Sequence, residues 1–128
     1  MRQPLALLFY EHLLTGHQLL NRLRDLEYRT QVVSEVDSLP EEVLRAQPLV
    51  LFVELGAQGE RLCAMIRALK TAAETRHLPV FAWQEESRSR LARRLAREAQ
   101  QAGATVLPQG RGMLAQLPLL LDQALDRE

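Results

Sequence analysis

Five short apolar runs, each followed by a stretch whose apolar residues recur every three or four positions, constrain this chain more than any other feature. Leu5–Phe9, Leu49–Val53 and Val80–Trp83 are uninterrupted rather than alternating, the pattern of strands covered on both faces. Thr30–Val36 and Thr105–Leu107 complete the set of predicted strands. Helical spacing is predicted from Leu13 until Tyr28, from Gly59 to before His77, over Ser87–Ala102 and over Leu117–Leu125. A shorter helix starts at Asp37-Ser38-Leu39-Pro40-Glu41-Glu42, which reads as a cap with acids in the first turn, and runs to about Ala46. Gly103 terminates the fourth helix, and Pro118 is tolerable only near the first turn of the last. Strands separated by helices cannot pair as hairpins and must cross over in parallel, so the order predicts a helix-covered parallel sheet of five strands.

The 128 residues suit one domain, 1–128, and at that length folding buries about 65–70% of the extended surface without help from disulfides. Sixteen basic and 16 acidic side chains, with 47% hydrophobic residues, argue against a disordered tail or a polybasic nucleic-acid binder. Cys63 is the single cysteine and Lys70 the single lysine, so a lysine-dependent site has almost nowhere to be. No run approaches a membrane span, and Met1-Arg2-Gln3-Pro4 lacks a signal-peptide layout, so a cytoplasmic protein is expected. One glycine in Tyr10-Glu11-His12-Leu13-Leu14-Thr15-Gly16 makes no phosphate-binding loop, and no nucleotide, flavin or other cofactor is expected.

Gly59-Glu60-Arg61-Leu62-Cys63-Ala64-Met65-Ile66-Arg67-Ala68-Leu69, continued by Thr75-Arg76-His77-Leu78-Pro79-Val80, is similar to strings common in the receiver domains of two-component response regulators. Gly103-Ala104 before the fifth strand fits as well, and the resemblance covers essentially the whole chain. It implies an α/β, flavodoxin-like, doubly wound (βα)5 fold with strand order 2-1-3-4-5. Receivers move a phosphoryl group from a histidine kinase onto an aspartate. Two acids after the first strand and the acceptor after the third hold Mg²⁺, while a Ser/Thr and a Lys contact the phosphoryl oxygens.

Carried over residue by residue, the two acids fall on Tyr10 and Glu11, and the acceptor on Glu54, or on Val53 after a one-residue slip. The Ser/Thr position becomes Gln84, and the Lys position Gln109 or Gly110. Tyr10 is a poor Mg²⁺ ligand near neutral pH. Glu54 carries its oxygens roughly 1.5 Å further than aspartate would, and errors of about 1 Å can cost ~10²-fold in rate. Gln84 has no hydroxyl and Gln109 no charge. The resemblance therefore implies a pseudo-receiver that has lost phosphotransfer and kept its surfaces.

Glu54 is either a fixed charge imitating a phosphorylated acceptor or a solvated acid at a strand end. Glu11 either shares a stray cation with Glu54 or faces water. Tyr10, Phe52, Phe81 and Trp83 lie on strands by this reading and pack a core, with Trp83 alternatively a rotameric switch. His12, His17 and His77 show no metal spacing and are expected to be structural; no metal site is expected. Cys63 reads as a small core residue. The stripe Leu91, Leu95, Ala99 and Ala102 faces inward, leaving Arg88, Arg90, Arg93, Arg94 and Arg97 as a solvated face or a docking strip, with Glu85 and Glu86 at the helix N-terminus. In the last helix Leu117, Leu120, Leu121 and Leu125 share one face, which directs Leu119 elsewhere.

These readings point to a signalling protein of the response-regulator type that binds other proteins independently of phosphorylation. The expected surface is the fourth helix, fifth strand and fifth helix, with Arg90, Arg93, Arg94, Arg97 and Leu119 meeting a signalling partner or a second copy; neither nucleic acid nor membrane is expected as a target. No nucleophile and base pair up, so no enzyme is expected. Two alternatives stay open: residual phosphorylation on Glu54 or another acid, and a small-molecule-binding domain built around Glu11, Glu54 and Gln84.

Overall fold

A computed structural model of the chain describes residues 3–109 and 112–125, with only the backbone of Ala124 and Leu125. Along the chain run β1 (Leu5–Phe9), α1 (Leu13–Asp25), β2 (Arg29–Val32), a 3-10 turn (Val36–Ser38), α2 (Leu39–Ala46) and β3 (Val50–Glu54). α3 (Gly59–Thr71), β4 (Val80–Trp83), α4 (Arg90–Ala102), β5 (Thr105–Val106) and α5 (Gly112–Leu125) follow. The strands pair in parallel in the order β2-β1-β3-β4-β5, the topology that the resemblance implies.

The uninterrupted apolar runs have a direct physical reading, because successive side chains of a strand point to opposite faces and both faces are covered. Leu7, Leu51, Val53, Val80 and Ala82 meet Leu39, Leu62, Ile66 and Leu95 from α2, α3 and α4. Ala6, Leu8, Val50, Phe52, Phe81 and Trp83 meet Leu19, Leu23, Leu117 and Leu121 from α1 and α5. Fully burying one Val, Leu or Phe side chain is worth about 1.5–3 kcal/mol, so these two layers supply the main drive to fold.

Several boundaries differ from the sequence expectation. β2 stops at Val32, and Val33 and Val36 pack into the α2–α3 layer. Ser38, the last residue of the 3-10 turn, sits in helical conformation and its side chain caps nothing. α4 starts three residues later than predicted, because Ser89 caps it, its hydroxyl accepting from the Ala92 amide at 3.0 Å. α5 starts at Gly112, which puts Pro118 in its interior and leaves the Leu114 carbonyl without its amide partner. The buried stripe Met113, Leu117 and Leu121 at four-residue steps outweighs that loss. Gly103 ends α4 in the left-handed region at φ 115°, as predicted. Among the described residues no helix is long and apolar enough to cross a membrane.

Candidate functional site

α1 covers one layer of the sheet and α3 the other, so the loops leaving β1 and β3 diverge and open a crevice at the C-terminal strand ends. Glu54 closes β3 there, paired in register with Trp83. Val53 points into the α3 layer, whereas the Glu54 side chain turns to the β1–α1 loop. Glu54 is 0% exposed, which overturns its reading as a solvated acid. Its Oε1 accepts the backbone N–H of Glu11 at 2.8 Å and of His12 at 3.0 Å. Its Oε2 meets Nδ1 of the His12 ring. A buried carboxylate is costly unless hydrogen-bonded, and these donors make up for the lost water. The hydrogen bond and negative charge of Glu54 in turn raise the His12 pKa above its ordinary 6.5.

Glu11 does the reverse. Its carboxylate crosses from the β1–α1 loop to accept the N–H groups of Ala57 at 3.0 Å and Gln58 at 3.1 Å, just before α3. It thereby caps a helix start that has no local side-chain cap, rather than facing water or sharing a cation with Glu54. A Cβ on Gly56 would lie 2.8 Å from Glu11 Oε1, so the close approach of the carboxylate requires glycine there. The two loops thus exchange carboxylates: each sends an acid to the other's backbone amides. Tyr10 lies one residue beyond β1, not on it, and its ring turns back onto α1, where a Cβ on Gly16 would come within 2.1 Å of it. The ring meets His17 edge-on at 5.9 Å. It points to α1 rather than to Glu54.

Gln84 and Gln109 meet as a hydrogen-bonded bridge. Gln84 is 6% exposed and donates from Nε2 to the Ala92 carbonyl at 2.7 Å, pinning the first turn of α4. Gln109 donates to Gln84 Oε1 at 3.5 Å and accepts from the Ser87 amide at 3.2 Å. Gly110 lies outside the described residues. Lys70 stands at the opposite end of the sheet, donating to the Leu78 carbonyl before β4 at 2.6 Å, and burial lowers its pKa. Trp83 is 1% exposed and packs the core, which fits plain packing rather than a rotameric switch. Phe52 and Phe81 stack at 5.2 Å, and Cys63 is buried with its thiol pKa pushed up by desolvation.

One histidine stands in a cluster that no sequence spacing announces. His12 belongs to no metal spacing, yet the fold gathers it with Glu54 and with Glu85, whose Oε1 lies 3.8 Å from His12 Nδ1. Glu85 therefore belongs to the pocket rather than serving as a dipole partner of α4; its Oε1 also accepts the Thr15 hydroxyl at 2.7 Å. The available signal was positional: residues just past β1, β3 and β4 converge in this topology, whatever their separation in sequence.

On α4, Arg90, Arg93 and Arg97 are exposed and have no ion-pair partner among the described residues. Arg94 differs, donating to Glu60 of α3 at 2.6 Å with Glu98 at 3.7 Å, so it faces α3 instead of β5. Leu91 is 53% exposed beside these arginines, which corrects its placement on the buried stripe. On α5 Leu119 is 60% exposed while Leu117 and Leu121 are buried, as the helical spacing predicts. The Leu125 side chain lies outside the described residues.

No protein-family model matches this sequence, and no curated protein matches it. Solved structures do. The receiver domain of NtrX from Brucella abortus aligns with a TM-score of 0.78 at 19% identity, over 96% of this chain and 99% of that one. A sensor protein from a Polaromonas species gives 0.78 at 20% identity, covering 97% of each chain. A CheY-like protein, TadZ, from Pseudomonas aeruginosa gives 0.70 at 20% identity, over 97% of this chain and 94% of that one. This chain spans 26% of a longer NtrX structure from Brucella abortus, to which it is 17% identical with a TM-score of 0.77. At these identities the likeness is one of fold, and the fold of this chain is that of the response-regulator receiver domain.

Proposed function

We propose that the chain is a signal-transduction domain of the response-regulator type that works by binding proteins and takes no phosphoryl group at Glu54. It is then no enzyme and needs no cofactor, and its place is the cytoplasm, where its partners would be. The observation that carries this reading is the saturation of Glu54. Both of its oxygens are engaged, one by two backbone amides and the other by His12, and the side chain is buried. An acceptor must present a free, accessible oxygen to the phosphorus of its donor, in line with the leaving group. Glu11 supports the same reading, since its carboxylate is committed to α3 and cannot help hold Mg²⁺. Gln84 and Gln109 supply neither the hydroxyl nor the cation that would steady a transferred group. In this reading Glu54 ties loops together, and its buried charge, facing His12, has no phosphate-like role.

The working surface is the end of the sheet at β5, flanked by α4 and α5. Arg90, Arg93 and Arg97 with Leu91 offer a basic strip with an apolar member, and Leu119 offers an apolar knob on α5. Arginine beside exposed leucine is a composition that protein interfaces favour, and an acidic signalling partner or an acidic face of a second copy suits it. With 16 basic residues balanced by 16 acidic ones, nucleic acid does not suit it as well.

Intact-mass analysis after incubation with acetyl phosphate and Mg²⁺ tests the proposal. No gain of a phosphoryl group is expected. A gain of one phosphoryl group mapped to Glu54, labile to acid, base and hydroxylamine as an acyl phosphate is, would overturn it.

A further inference from the structure

We propose that His12, Glu54 and Glu85 together form a binding site for one divalent transition-metal ion of the Zn²⁺ type. Three loops supply the ligands, one after β1, one at the end of β3 and one after β4. One ring nitrogen of His12 and one carboxylate oxygen each of Glu54 and Glu85 lie within 4.8 Å of one another. Around a tetrahedral ion with bonds of about 2 Å, ligand atoms stand roughly 3.3 Å apart, so His12 and Glu85, at 3.8 Å, need close by only a fraction of an ångström. His12 Nδ1 and Glu54 Oε2, in direct contact, must part to admit the ion in place of their hydrogen bond.

The groups behind the ligands are arranged as metal sites require. Glu54 Oε1 is fixed by two backbone amides, which leaves Oε2 aimed at the cluster with no partner besides His12. Glu85 Oε1 is oriented by the Thr15 hydroxyl. Donors of this kind hold ligating carboxylates in place and sharpen affinity. Access is built in as well: the Glu54 side chain is 1% exposed, but those of His12 and Glu85 are 56% and 41% exposed. An ion can therefore enter from solvent and keep a fourth position for water or for a partner's side chain.

Ligand chemistry sets the class of metal. Mg²⁺ and Ca²⁺ prefer all-oxygen shells, and Mg²⁺ demands near-octahedral geometry, whereas an imidazole nitrogen with two carboxylates suits Zn²⁺ and its neighbours. The site is not the Mg²⁺ arrangement that the receiver resemblance implies. It omits Glu11, which caps α3, and it takes His12 and Glu85 instead. It stands independently of the proposed function, because a domain that binds Zn²⁺ here can still refuse phosphate, and one that refuses phosphate need not bind Zn²⁺.

The test is calorimetric titration of the chelator-treated chain with Zn²⁺, with Co²⁺ as a spectroscopic probe of nitrogen–oxygen ligation. One ion per chain is expected, with no heat from Mg²⁺ at the same concentration. His12→Ala and Glu85→Gln, both at exposed side chains, should each weaken binding by about tenfold or more, while His17→Ala and His77→Ala leave it unchanged. Circular dichroism of each variant separates lost ligation from lost folding. The proposal is overturned if the wild type binds neither Zn²⁺ nor Co²⁺, or if His12→Ala and Glu85→Gln bind as the wild type does.

Discussion

The C-terminal end of the sheet and the α4–β5–α5 face treat their polar groups in opposite ways. At the strand ends the acids turn inward: Glu54 takes the amides of one loop, Glu11 those of another, and Gln84 pins α4. On the other face Arg90, Arg93 and Arg97 extend into solvent beside Leu91, and Leu119 lies exposed on α5. A carboxylate whose oxygens are engaged within the chain presents no free oxygen to a phosphoryl donor, whereas an exposed side chain is free to meet a partner. On the proposed reading, the difference assigns rigidity to the strand-end loops and recognition to the helical face.

Breaking the inward side should give the largest effect. Glu54→Ala strips two part-buried loop amides and His12 of their acceptor, and a loss of about 3 kcal/mol, roughly 10 °C in Tm, is expected by thermal denaturation. Glu54→Gln keeps one acceptor oxygen and should cost about half as much. Next comes Gly56→Ala, whose added Cβ meets Glu11 Oε1 at 2.8 Å and displaces the cap of α3. About 1–2 kcal/mol should be lost, and hydrogen exchange at Ala57 and Gln58 should accelerate.

On the outward side the expectation inverts. Arg93→Glu and Leu119→Glu should each leave stability within about 0.5 kcal/mol of the wild type while weakening association, the arginine variant more so at low salt. Sedimentation velocity, alone and with any acidic partner recovered, reads this; association unchanged by both variants would move the surface elsewhere. Arg94→Glu instead puts a carboxylate against Glu60 and Glu98, so it reports on α3–α4 packing.

The smallest effect is in pH. Because Glu54 raises the His12 pKa in the folded chain, the stabilisation is fully present below the unfolded value of 6.5 and fades as pH rises through the higher folded value. Denaturation of the metal-free chain from about pH 5.5 to 9 should show stability declining with pH, and His12→Gln should flatten that slope.

The architecture was legible because it rests on patterns that need no partner information. Uninterrupted runs such as Val80–Trp83 require cover on both faces, and helical spacing such as Met65–Leu69 supplies it. Boundaries were legible only where one residue decides them, as Gly103 does; Pro118 misled because the buried stripe of α5 outweighs one missing hydrogen bond. In the site, identities and positions were readable, and Tyr10, Glu11, Glu54, Gln84 and Gln109 do sit at the strand ends. Their directions were not. Whether Glu11 faces water or crosses to Ala57 depends on loop geometry that no local pattern encodes. His12 and Glu85 stand 73 positions apart in sequence, and only the βα topology makes them neighbours.

The central claim is that the strand-end pocket is closed to phosphoryl chemistry. Amide spectra of ¹⁵N-labelled protein with and without Mg²⁺ and beryllofluoride, a stable stand-in for a phosphoryl group, test it most directly. The account predicts unshifted resonances for Glu11, His12, Ala57 and Gln58, whose amides already donate to Glu54 and Glu11. Saturable shifts of those four amides, spreading to Gln84 and α4, would contradict it.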